Sequence, residues 1–156
     1  MLVKCKKREI MEKNEKTSFA QKLYDLTELD YLVIEAYSLA IKEMENLEYK
    51  NKLESFKNDH ERHITENVSL LKKHKEMYPK GPKFSQKWIV KGEVMVFNLL
   101  GDKKILDMLS KNEMETNEAY RCICAHEGQW DDASDTIKRG FEDEKRHKEW
   151  IDSVLC

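Results

Sequence analysis

The sequence predicts an all-α protein, a bundle of four long helices. Apolar residues recur along it at three- and four-residue steps, the signature of helices with one buried face. Only five Gly and two Pro occur among 156 residues, too few breakers for the turns of an all-β fold. Glu, Lys, Leu and Met are abundant, and these are strong helix formers.

Residues 1–17 are mostly charged, carry no apolar period, and read as a flexible tail. Residues 18–156 read as a single domain. A first stripe, over residues 18 to about 46, runs through Leu26, Leu29, Val33, Ala36, Ala40, Met44 and Leu47. A second runs through Leu53, Phe56, Asn67, Leu70, Leu71 and Met77 and stops at the breakers Pro79, Gly81 and Pro82. A third, from residue 102 to about 127, uses Ile105, Leu109, Thr116, Ile123 and Cys124 and breaks at Gly128. A fourth, over residues 131–154, uses Ala133, Ile137, Phe141 and Ile151.

The links within each successive pair are short, so helices 1 and 2 form one antiparallel hairpin and helices 3 and 4 another. Residues 78–101 lie between the pairs. A helix here is roughly 35 to 40 Å long at about 1.5 Å per residue, and this stretch can cross that length and start helix 3 parallel to helix 2. Its apolar part, WIVKGEVMVFNLL, reads as a short helix or strap on the bundle, or as an oligomer contact.

The 28 basic and 30 acidic residues interleave without a basic stripe, which argues against nucleic acid as a partner. No apolar run reaches the roughly 20 residues that span a bilayer, and the charged opening lacks the apolar core of a signal peptide. The expected setting is cytoplasmic, without membrane contact. Cys5, Cys122, Cys124 and Cys156 contain no Cys-x-x-Cys pair and read as reduced thiols.

An internal repeat points to the chemistry. DYLVIEAY, from Asp30 to Tyr37, matches EMETNEAY, from Glu113 to Tyr120; DHERH, from Asp59 to His63, matches DEKRH, from Asp143 to His147. The matches lie 83 and 84 residues apart, so the second hairpin looks like a copy of the first. At about 100° per residue, Glu113 and Tyr120 fall on the apolar stripe of helix 3, Asp30 and Tyr37 on that of helix 1, His60 and His63 on that of helix 2, and Glu144 and His147 on that of helix 4. Glu35 and Glu118 turn outward. His74 and His126 read as hydrogen-bonded histidines rather than ligands.

Residues that face each other across a hairpin are equidistant from its turn. The midpoints between Glu113 and Glu144/His147, and between Asp30 and His60/His63, both fall at the expected links, so all six ionisable groups sit at one level. Burying three unpaired carboxylates there would cost several kcal/mol each, and a bound cation supplies the compensation. One inward acid on each of two helices, with an acid-x-x-His pair on each of the other two, is the ligand plan of di-iron and di-manganese carboxylate bundles.

With Glu144-x-x-His147, Glu113 and the two tyrosines in these places, residues 18–156 resemble a rubrerythrin-like member of the ferritin-like superfamily, whose bundles share the single long crossover. Asp30 and His60 depart from its pattern, each standing where the family carries a Glu. Hemerythrin, the competing four-helix metal fold, uses mainly His-x-x-x-His spacing, which does not occur here. The resemblance implies a centre of iron or manganese, with zinc as the alternative ion, held by Asp30, His60, His63, Glu113, Glu144 and His147. Tyr37 and Tyr120 would stand beside the ligands. It further implies a small oxidant, peroxide or dioxygen, as reaction partner. The alternative is a non-catalytic helical bundle whose site is degenerate or holds zinc and which works by helix-face association, as in a homodimer.

Overall fold

The structure, a computed structural model, describes residues 18–82 and 101–156. The tail expected over residues 1–17 and the apolar part of the crossover lie outside the described residues. Four long helices, α1 Phe19–Glu43, α2 Leu47–Lys73, α3 Asp102–Cys124 and α4 Ser134–Leu155, account for most of the described residues, and no strand occurs among them.

Local chemistry sets the ends. Ser18 caps α1, its hydroxyl accepting from the Gln21 N–H at 3.2 Å, and Asn46 caps α2 through the Tyr49 N–H at 3.1 Å. Only residues 44–46 separate these helices. Asp102, in the first turn of α3, accepts from the Glu45 and Asn46 N–H groups, each at 2.8 Å, and so ties that link to the start of α3. A 3-10 turn at Asp131–Ala133 leads into α4.

Three boundaries differ from the sequence reading. Helix α2 ends at Lys73 and not near Met77, which is 81% exposed. Lys75 takes the left-handed φ of 59°, the Glu76 N–H bonds the Leu71 carbonyl at 2.9 Å, and the Lys75 N–H bonds the Lys72 carbonyl at 3.0 Å. This reversal, four residues before Pro79, stops the helix, with Lys where Gly is usual. Leu47, read as part of the first stripe, is 71% exposed and instead opens α2. Helix α3 likewise stops at Cys124, three residues short of the expected end.

Each helix packs on two others. α1 meets α2 through Asp30 and His60, and α3 through Tyr37 with Glu113 and Tyr120 with Asp30. α4 meets α3 through Asp152 with Ser110, and α2 through Arg139 with Glu66. At the α1–α3, α3–α4 and α2–α4 interfaces residues further along one helix meet residues earlier on the other. Gly140 makes the α3–α4 approach possible, because a Cβ there would stand 2.4 Å from Cε1 of the buried Tyr120 ring.

The core divides into two apolar clusters. One contains Val33, Tyr37, Leu53, Phe56, Ile105, Leu109 and Ile151. The other contains Leu23, Leu26, Leu70, Leu71, Tyr120, Ile123 and Ile137. On every helix the sequence between its two contributions carries the buried polar residues: Asp30 on α1, His60 and His63 on α2, Glu113 on α3, and Glu144 and His147 on α4. The six groups therefore form one polar layer, closed above and below by hydrocarbon.

Candidate metal centre

Helical spacing brings the six side chains into that layer. Each presents one face to the bundle axis at i, i+3 or i+7 from a core residue, and none of the six is more than 2% exposed. They form two overlapping groups, Asp30, His60, His63 and Glu144 in one, and His60, Glu113, Glu144 and His147 in the other. Within each group one potential ligand atom per residue lies within 4.8 Å of all the others. His60 and Glu144 belong to both. All six residues singled out in the sequence are thus brought together.

The tyrosines join the halves crosswise. Tyr37 on α1 donates its hydroxyl to Glu113 on α3, while Tyr120 on α3 donates to Asp30 on α1 at 3.0 Å. Burial, with the Glu113 and Asp30 charges beside them, pushes both phenols well above their ordinary range.

The sequence reading did not place Asp59 or Asp143 among the inward groups, yet both stand against imidazoles of the layer. Asp143 is 8% exposed. Its carboxylate accepts from Nε2 of His63 at 3.1 Å, and Asp59 accepts from Nε2 of His147 at 3.1 Å. The Asp of each repeat string thus serves the His of the other. Arg62 donates to Asp143, and Arg146 to Asp59 at 2.5 Å, completing a charged ring across α2 and α4. Glu66 stays outside, bonded to Arg139 at 3.0 Å. The available signal was the i, i+4 spacing of Asp and His in both strings, which puts them on one face.

With Nε2 held by a carboxylate, each of these imidazoles turns Nδ1 inward. Nδ1 of His63 and His147, Nε2 of His60, Oε2 of Glu113 and both oxygens of Glu144 are buried and have no hydrogen-bond partner. Leaving a buried polar atom unpaired costs about 1–3 kcal/mol, and here six converge on one small volume. Imidazole nitrogen and carboxylate oxygen are donors that iron, manganese and zinc all accept. The cluster fits a metal ion.

The charges agree. Burial disfavours a charged His63, yet the bond to Asp143 and the Asp30 carboxylate beside it outweigh that and raise its pKa to about 9. His60 and His147 are also raised against burial, His60 chiefly by the Glu144 charge and the Asp30 bond, His147 by Asp59 and Glu113. Glu113 is held low by its imidazole neighbours despite burial. Glu144 is pushed up by burial, the His60 charge opposing and the Glu113 and Asp30 charges adding to the rise. Protonated histidines thus balance the carboxylates where a cation would otherwise do so.

The remaining histidines stand apart. His74, at the end of α2, bonds Asp132 at 3.0 Å and stacks on Trp130 at 3.7 Å between ring centroids. His126 accepts from the Gly128 N–H at 3.0 Å. Cys122, Cys124 and Cys156 are free thiols. No helix among the described residues is long and apolar enough to cross a membrane.

Fold and site together define an all-helical bundle with a buried histidine–carboxylate cluster able to hold a metal ion. No family model matches the chain, and neither a curated protein nor a solved structure is matched by it.

Proposed function

We propose that this protein is a metal-dependent bundle of the ferritin-like, rubrerythrin-like kind. In this reading α1 with α2 and α3 with α4 are two helical hairpins joined by the crossover at residues 78–101, and the centre holds iron or manganese that reacts with peroxide or dioxygen. The convergence of six buried, unpartnered donor atoms on one volume carries the reading. Asp30, Glu113 and Glu144 favour a hard, oxidisable cation, while His60, His63 and His147 tune its geometry and potential.

When bound, such an ion supplies electron transfer to the oxidant. The side chains prepare the place for it. Tyr37 and Tyr120 fix the carboxylates of Glu113 and Asp30, Asp59 and Asp143 fix the rings of His147 and His63, and the apolar clusters keep bulk water out. Enclosure also selects the partner, since six groups at most 2% exposed admit only a small molecule.

Protein prepared without chelator, or reconstituted anaerobically with Fe2+ or Mn2+, is expected to retain redox metal through desalting, as read by elemental analysis. The Fe2+ form is expected to consume peroxide faster than the same amount of free ion. Protein that holds no ion after reconstitution, or zinc alone, would favour the alternative of a bundle that acts by helix-face association.

A further inference from the structure

We infer that the two halves of the centre are not equivalent: the first ion enters among Nε2 of His60, Glu113, Glu144 and Nδ1 of His147, while Asp30 serves that ion by holding the His60 ring. This rests on the metal-binding reading above and refines its stoichiometry.

The argument comes from which donor atoms are already engaged. In the Glu113 group, Nε2 of His60, Oε2 of Glu113, both oxygens of Glu144 and Nδ1 of His147 are all unpartnered. The separations of 3.7 Å from Nε2 of His60 to Oε1 of Glu113, and 3.5 Å from Nδ1 of His147 to Oε2 of Glu113, leave these atoms close without hydrogen-bonding them. Three of the four ligands are oriented from behind: His60 by Asp30, His147 by Asp59 and Glu113 by Tyr37. Such partners set the ring orientation and raise the basicity of a ligand. Two imidazoles and two carboxylates leave coordination positions open for a small molecule.

In the Asp30 group two of the four residues already hydrogen-bond each other. Oδ1 of Asp30 accepts from Nδ1 of His60 at 2.9 Å, and Oδ2 accepts from the Tyr120 hydroxyl at 3.0 Å. His60 can offer that side no lone pair while its Nδ1–H is bonded to Asp30. Nδ1 of His63 and the Glu144 carboxylate remain unpartnered, and Glu144 is shared with the first ion. To acquire a third protein ligand, a second ion must share the Asp30 carboxylate with His60 and Tyr120 or break the Asp30–His60 bond. His60, an imidazole that cannot bridge both halves as a carboxylate could, thus leaves one site with a positioning residue.

The test is calorimetric titration of metal-free protein with Mn2+, with elemental analysis after desalting and electron paramagnetic resonance of the retained ion. One tight event, one retained ion per chain and the hyperfine pattern of isolated Mn2+ are expected. Glu113→Gln should abolish the tight event; Asp30→Asn, which can still accept from His60, should keep it with about 10–100-fold lower affinity. Two equal tight events, a spin-coupled Mn2+ pair, or loss of the first ion in His63→Gln as complete as in Glu113→Gln would overturn this asymmetry while leaving the metal centre itself standing. No Mn2+ binding by the unaltered chain would overturn both.

Discussion

Asp59 on α2 accepts a hydrogen bond at 3.1 Å from Nε2 of His147 on α4, and by doing so fixes which nitrogen of that ring faces the centre. Asp143 does the same for His63 from the opposite helix, at the same distance. If the first ion sits in the Glu113 group, these two aspartates are not interchangeable. Asp59→Ala should weaken Mn2+ binding by about 10–100-fold, the usual effect of removing a partner of a ligating His. Asp143→Ala should weaken it much less, as measured by competition with a chelator of known affinity. Equal losses would place His63 in the first-ion site.

The metal-free protein should lose thermal stability between about pH 6.5 and 9. His63 has its pKa raised from 6.5 to about 9 in the folded chain, so folding favours the imidazolium. That contribution is complete below 6.5 and vanishes as pH rises through 9. His60 and His147 shift in the same direction. Glu144, raised by burial, adds a loss that begins lower, as pH climbs past its ordinary value of 4.5. Asp143 acts at the other end: lowered from 3.8 to about 2 by His63 and its two arginines against the effect of burial, it withdraws stability as pH falls from 3.8 toward 2. Melting temperatures in chelator, scanned from pH 3 to 9, should therefore peak on the acid side of neutrality, and bound metal should flatten the alkaline decline because the ion replaces the protons. A flat alkaline limb without metal would contradict the charge balance described here.

Gly140→Ala should destabilise the fold although Ala is the better helix former by about 1 kcal/mol. The new methyl would stand 2.4 Å from Cε1 of Tyr120, a ring that is 1% exposed and tethered to Asp30. Overpacking of this kind typically costs about 1–3 kcal/mol. Chemical denaturation should thus show a net loss, and a gain would mean that the α3–α4 contact can open without cost.

Glu113 and Glu118 lie five residues apart on α3 but in different environments. Glu113 is fully buried against Tyr37, whereas Glu118 is exposed and paired with Arg121 at 2.6 Å. Glu118→Ala should change stability by no more than about 0.5 kcal/mol and leave metal content intact. Glu113→Ala should strip the metal. Elemental analysis of the two variants side by side reads both outcomes, and the reverse pattern would refute the helical phase of α3.

Much of the site was legible in the sequence because helical phase is a local property. Once Leu109, Thr116 and Ile123 mark the inner face of α3, Glu113 and Tyr120 must lie on it, and the distance of each group from its turn sets the level at which it meets its partners. Asp30, His60, His63, Glu113, Glu144 and His147 follow from those two rules, and they share the polar layer in the structure. The ends of α2 did not follow, because the left-handed Lys75 that closes it carries none of the Gly signal that usually marks such a reversal.

What only the tertiary structure decided is which donor atoms are already engaged. That Asp59 reaches His147 and Asp143 reaches His63 depends on the packing of α2 against α4, elements far apart in the chain. Each Asp shares a face with the His four residues on, yet bonds the His of the other repeat. That Asp30 bonds His60 and leaves Nε2 free depends on side-chain rotamers fixed between two apolar clusters. Periodicity and repeats place residues on faces and levels, since those follow from the geometry of one helix. Pairing between helices depends on distances of a few tenths of an ångström, which only the assembled core determines.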